Sequence, residues 1–151
     1  MINIIDYKTV YQPDFYRLNI AWLDKYHLTE SHDLQILNDP EGTIVANGGY
    51  IWLAMEDDVV VGTAAIIKES DGAYELAKMA VDDAYQGRGI SKLLIEKCIE
   101  KAKEVGATKL ELFSNSQLTT ALELYKKYGF HHVDVTGSPF ETADVKMEMA
   151  L

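Results

Sequence analysis

The sequence predicts an α+β (mixed α/β) fold: one central, mostly antiparallel sheet flanked by helices, in the order ααβββαβαββ. Three observations lead there. Between residues 50 and 81, three stretches rich in apolar and β-branched residues are separated only by short polar turns, which makes consecutive strands antiparallel. After Asp83, apolar residues recur twice at three- and four-residue spacing, the mark of amphipathic helices. The length of 151 residues is enough for one hydrophobic core, so residues 1–151 are expected to form a single domain.

In chain order, Pro13 suits a first helical turn, and Phe15, Leu18, Trp22 and Tyr26 lie on one helical face. A shorter helix over Ser31 to Leu37 ends before Asp39-Pro40, because the residue preceding proline avoids the helical region. Asn47-Gly48-Gly49 is a turn. Strands follow at Tyr50 to Met55, Val59 to Lys68 and Ala73 to Val81, joined by Glu56-Asp57-Asp58 and Ser70-Asp71-Gly72. Ile90, Leu93, Leu94, Cys98, Ile99, Ala102 and Val105 then describe one face of a helix closed by Gly106. A strand at Lys109 to Phe113 precedes a helix marked by Leu118, Ala121, Leu122, Tyr125 and Tyr128 and closed by Gly129. Two last strands lie near Phe130 to Val135 and Ala143 to Met149. In the second of these, Val145, Met147 and Met149 alternate with Asp144, Lys146 and Glu148, so one face is buried.

Composition narrows the function. Apolar residues make up 48% and charged residues 25%, as in ordinary globular proteins. The net charge of −10 argues against a general nucleic-acid binder, which needs a basic face. No apolar run approaches the ~20 residues of a membrane span, and the amino-terminal residues do not read as a secretory signal. The expectation is a cytoplasmic protein. The single cysteine, Cys98, excludes an intrachain disulfide and a cysteine-built zinc site. It sits on an apolar helical face, as a buried residue rather than a nucleophile. No metal is expected: His131 and His132 are adjacent on a strand and point to opposite faces. Charge is uneven, with eight Lys/Arg and five Glu between residues 86 and 128. That segment reads either as a site for a small polyanion or as solvated helix faces.

The chemistry concentrates in Gln86-Gly87-Arg88-Gly89-Ile90-Ser91, between a strand and a helix. Glycines at i and i+2 let the backbone curl so that several N–H groups point one way, and the helix adds its own unpaired amides and dipole. The result is a phosphate or pyrophosphate site, or else simply a tight turn. A dinucleotide fingerprint would need glycine where Lys92 stands, and a nucleotide-triphosphate loop would need Gly-Lys-Ser/Thr.

Taken together, Glu75 to Val81, Gln86 to Ser91, Ala121 to Tyr125 and Gly129-Phe130 resemble the GNAT superfamily of acetyl-CoA-dependent N-acetyltransferases, over roughly residues 50 to 150. The resemblance implies that Met79, Ala80 and Val81 offer main-chain groups to the pantetheine arm. It also implies that the amides of Gln86, Gly87, Arg88, Gly89, Ile90 and Ser91 hold the pyrophosphate of coenzyme A. Ser91 stands in place of the family's last Gly/Ala. Leu118 stands where the family often has asparagine, which leaves Asn115 or Ser114 to take that coenzyme contact. The segment from Ala121 to Phe130 matches the one that supplies the family's tyrosine, here Tyr125. The resemblance also allows a homodimer through the C-terminal strands.

Amine acetylation needs a neutral amine beside the thioester and a proton for the departing thiolate. For a lysine-like amine, deprotonation at pH 7 costs about 4.6 kcal/mol. Tyr125 is the candidate general acid, set against a plain core role on its apolar face. Glu75 is the candidate base, set against an exposed strand-end carboxylate. Alternation places Glu75, Ala77, Met79 and Val81 on one face of the strand and Lys78 on the other, as an ion-pair partner. The expected acceptor is a small, cationic primary amine attacking directly in a ternary complex. Its walls would be Glu30, Asp33, Asp39, Glu41, Asp134, Glu141 and Asp144, in the segments where the resemblance puts the acceptor. The alternative is a noncatalytic acyl-CoA-binding regulatory module.

Overall fold

A computed structural model describes residues 1–70 and 72–151. Asp71, assigned above to a turn, lies outside the described residues. Strand β1 (Ile2–Asp6) opens the chain, followed by helices α1 (Gln12–Lys25) and α2 (Ser31–Asn38). Strands β2 (Tyr50–Glu56), β3 (Val59–Ser70) and β4 (Ala73–Val81) form the meander. Helix α3 (Ile90–Glu104), strand β5 (Lys109–Ser114), helix α4 (Thr119–Lys127) and strands β6 (His131–Val133) and β7 (Val145–Ala150) complete it.

All seven strands join one sheet in the order β1-β2-β3-β4-β5-β7-β6. Every neighbouring pair is antiparallel except β4 and β5, which run parallel across the α3 crossover. The expected order needs one correction: it lacked β1. Ile2, Ile4 and Ile5 do not alternate strictly, and the strand exists because Ile2–Asp6 pairs with Glu56–Trp52 across β2. That is a tertiary contact, which local propensity does not encode. A second unpredicted element is a π-helical turn at Glu41–Val45, after α2.

Two apolar layers cover the sheet. On one face α3 buries Ile90, Leu94, Ile95, Cys98 and Ala102, and α4 buries Leu122 and Tyr125, against Trp52, Ala54, Ile66, Leu76 and Met147. On the other, Phe15 and Leu18 of α1 and Ile36 and Leu37 of α2 meet Ile51, Leu53, Ala65 and Ala80. No described helix is long and apolar enough to cross a membrane.

Strand β4 departs from simple alternation, which is the second correction. Tyr74 and Leu76 face α3, but so do Met79 and Val81, so the facing positions change parity at Lys78. Lys78 has φ of 52°, a left-handed conformation uncommon outside glycine. Across this point the register with β3 steps from Ala65↔Ala77 to Thr63↔Ala80, so the strand carries a β-bulge. The fully buried Thr63 hydroxyl donates to the Lys78 carbonyl at 3.0 Å and accepts from Asn19 Nδ2 at 3.1 Å. A polar residue in the buried face of α1 therefore fixes the bulge.

Candidate active site

Beyond the bulge β4 turns away from β5. The two strands pair only at Ala73↔Lys109, Tyr74↔Leu110 and Glu75↔Glu111. Past Glu75 a wedge opens between Leu76–Met79 and Leu112–Asn115, and two cavities meet in it.

The outer cavity, about 540 Å³, is lined by Met79, Ala80, Val81, the glycine-loop residues Gln86, Gly87, Gly89, Ile90 and Ser91, and Lys92 and Lys127. The loop has the shape its sequence implies. Gly87 and Gly89 have φ of 79° and 78°, and a Cβ at either would meet nothing within 4 Å. Backbone conformation, not crowding, is what asks for glycine. Gly89 is the N-cap of α3, so the first amides of that 15-residue helix lack intrahelical partners. They sit at the positive end of its dipole. Gln86 shapes the loop: its side-chain amide donates to the Val81 carbonyl at 3.4 Å and to Asp83 at 3.2 Å.

The side chains of two residues expected to contact the coenzyme are held by the protein itself. The Arg88 guanidinium makes a bidentate pair with Glu56, at 2.9 and 2.7 Å, and leaves only its main chain to the loop. Asn115 lines the inner cavity rather than the outer one. It donates to the Thr142 carbonyl at 2.8 Å and accepts from the Gln117 N–H at 3.1 Å.

The inner cavity, about 120 Å³, is lined by Asn19, Asp33, Glu75, Lys78, Phe113, Ser114 and Phe140, among others. Trp22, Met79, Leu118 and Tyr125 line both cavities, so Tyr125 stands where the two meet. No group among the described residues hydrogen-bonds its hydroxyl, and Phe130 packs edge-on at 5.9 Å. Burial, then the nearby Cys98, pushes the Tyr125 phenol well above its usual range. It therefore stays protonated and able to donate at neutral pH.

Glu75 is no exposed strand end, being only 6% accessible. Burial raises its pKa well above the ordinary carboxylate range. Glu69, through a hydrogen bond and its charge, and Glu111 add to the effect, while Lys78 opposes it. Cys98 is wholly buried, and burial raises its thiol as well. Deprived of thiolate character, it is a poor nucleophile.

The expected acidic wall is not found at the cavity. Of the seven carboxylates, only Asp33 lines it, and Asp33 is paired with the Lys78 ammonium. The others that are engaged serve the fold. Glu30 accepts from the N–H groups of Glu141 and Thr142, at 2.9 and 3.0 Å, and pins that loop to α2. Asp144 holds Ser116, Asp39 accepts from the Gly42 N–H, and Glu41 accepts from the Tyr7 hydroxyl. Sequence reasoning missed Asn19 and Phe140. An asparagine amid Phe15, Leu18 and Trp22 was the one available signal; Phe140 lies in a loop that offers none.

Comparison with known proteins agrees with this geometry. Residues 8–130 match the Acetyltransferase (GNAT) family. An uncharacterized N-acetyltransferase of Bacillus subtilis, YvbK, is 33% identical over 104 residues, covering 67% of each chain. N-acetylaspartate synthetase of Xenopus tropicalis is 37% identical over 89 residues, 58% of this chain but only 33% of that protein. A GNAT-family acetyltransferase from Staphylococcus aureus superposes with a TM-score of 0.92 at 24% identity, covering 100% and 99% of the two chains. The PaiA N-acetyltransferase of Thermoplasma acidophilum, solved with coenzyme A, gives 0.78 at 17% identity with the same coverage. At those identities the structural matches bear on the fold. With a left-handed glycine loop at the head of α3, a sheet split beside it and a family match over most of its length, the chain belongs to the GNAT family of acetyltransferases, enzymes that draw their acetyl group from acetyl-CoA.

Proposed function

We propose that this protein transfers the acetyl group of acetyl-CoA to the primary amine of a small acceptor by direct attack in a ternary complex. The observation that carries the reading is the position of Tyr125, which lines both cavities with its hydroxyl unpartnered among the described residues. The donor occupies the outer cavity. Its pyrophosphate meets the amides of Gly87 to Ser91, and its pantetheine arm runs along Met79–Val81, where β4 has left β5. The acceptor enters the inner cavity as an ammonium ion and loses a proton to Glu75, directly or through water. Its nitrogen bonds to the thioester carbon, the carbon–sulfur bond breaks, Tyr125 gives the departing sulfur its proton, and the second proton shed by the acylated nitrogen restores the Tyr125 phenol through water. Holding both reactants in one wedge supplies much of the acceleration. The burial of Cys98 favours direct attack over an acetyl-cysteine. The family and relatives' names support nitrogen as the acetylated atom. The free, buried Cys98 thiol fits a reducing cytoplasm.

Thiol release from acetyl-CoA against a panel of amines, amino acids, polyamines and peptides tests the reading. At least one primary amine should be turned over. Tight acetyl-CoA binding with no turnover on any member would overturn it in favour of a noncatalytic acyl-CoA-binding module.

A further inference from the structure

We infer that the acceptor is a small amino acid, whose carboxylate docks on the Lys78 ammonium while its amine lies beside Glu75. The inference rests on the proposed acetyl transfer and names the substrate class for the inner cavity. Lys78 is the one basic side chain among the residues lining that cavity, and only 6% of its side chain is accessible. An ammonium carries three N–H donors. Among the described residues only Asp33 accepts one of them, and the Phe140 ring lies 4.9 Å from the nitrogen. The remaining donors have no oxygen partner among the described residues, and buried polar groups are ordinarily satisfied.

A structural tether between α2 and β4 does not account for those donors. Asp33 has both oxygens engaged, one by Lys78 and the other by the Glu30 N–H at 2.9 Å, which caps α2, so it takes up only one of the Lys78 donors. Nor does local backbone preference put a lysine here. The left-handed bulge would suit glycine, yet the chain holds Lys78 there through Thr63 and Asn19, which sets its side chain in the cavity wall.

The charges around the cavity then select the ligand. A carboxylate on Lys78 makes charge-assisted hydrogen bonds with the free donors. Glu75, three residues earlier on the same strand, faces the same space and is near enough for the Lys78 charge to act on it. One end of the cavity thus suits an anion and the other an amine. A diamine or polyamine would bring to Lys78 a second ammonium, which has no acceptor to offer its free donors.

Matched acceptors test this. The best-used amino acid is compared with its own carboxamide and with the amine lacking the carboxyl carbon, in thiol-release assays at fixed pH. The amino acid should exceed both in kcat/KM by at least tenfold, with the difference mainly in KM. Lys78→Met should bring the ratio near one. The double variant Lys78→Met/Asp33→Asn, which leaves no carboxylate unpaired, should do the same if the single variant folds poorly. Equal or better use of the carboxamide by the unaltered protein would overturn the inference while leaving acetyl transfer intact, as would a preference for the carboxylate that survives both variants. Failure of every amine, with acetyl-CoA still bound, would overturn the acetyl-transfer reading itself.

Discussion

At the scale of the residue, the proposed transfer gives two side chains opposite proton tasks, and burial raises the pKa of both. Tyr125 is kept protonated by burial, so its phenol is a donor throughout the neutral range. Tyr125→Phe removes only the hydroxyl, which has no hydrogen-bond partner to orphan among the described residues. The expected result is a fall in kcat of about 10²-fold or more with acetyl-CoA affinity and thermal stability unchanged, read by steady-state kinetics and calorimetric titration. Unaltered kcat would take Tyr125 out of the chemistry. Glu75 is the converse case. Its folded-state pKa is raised, chiefly by burial and by Glu69, so the native state holds its proton more tightly than the unfolded chain does. Its contribution to stability is therefore fully present below the unfolded value of about 4.3 and declines as pH climbs through the raised native value. Glu75→Gln should be more stable than the parent above neutrality and lose that advantage toward pH 4, in thermal melts across pH. It should also abolish the rising limb of the kcat/KM profile, which in the parent lies above the ordinary carboxylate range.

At the scale of the element, the glycine loop was readable and the bulge was not, for the same physical reason. A left-handed φ costs an ordinary residue about 1 kcal/mol or more, so evenly spaced glycines before an amphipathic helix announce the loop. Gly89→Ala tests this: with open space around the new Cβ, only conformation is at stake. Stability should fall by about 1 kcal/mol and acetyl-CoA should bind more weakly, by denaturant unfolding and titration; unchanged binding would separate the loop from the coenzyme. Lys78 adopts a left-handed φ too, but lysine gives no such notice. Its conformation is set by Thr63 and, through it, Asn19, residues 15 and 59 positions earlier. Period-two alternation, correct up to Leu76, therefore put Met79 and Val81 on the same side as Glu75, when the bulge turns them toward α3. The helices, the three central strands and the glycine loop are local patterns and could be read directly. Strand β1, the bulge and the engagement of Glu30, Asp33 and Asp144 within the fold depend on partners that only folding brings near.

At the scale of the whole molecule, the sheet is divided across its middle. Strands β1–β4 form one half and β5, β7 and β6 the other, and among the described residues the two central strands pair at three positions, Ala73 to Glu75 on β4 against Lys109 to Glu111 on β5, next to the Gly72 carbonyl that accepts from the Thr108 and Lys109 N–H groups. The apolar layer under α3 and α4 and the hydrogen bonds that Glu30 accepts from the Glu141–Thr142 loop also join them. A donor whose arm lies in the wedge would replace missing ladder contacts, so binding should tighten the sheet as well as the loop. Acetyl-CoA at 100 times its dissociation constant should add about 2.7 kcal/mol, roughly 5–11 °C in melting temperature for a chain of this size. The distribution of that stabilisation is the sharper test. Hydrogen exchange should slow at Met79–Val81 and at Phe113–Ser114, on opposite sides of the wedge, together with the amides of Gly87 to Ser91. ADP, which has a pyrophosphate but no pantetheine arm, should protect the loop and leave the wedge unchanged. Equal protection of the wedge by both ligands would mean that the phosphate loop alone tightens the sheet. Protection by neither would move the arm out of the split between β4 and β5.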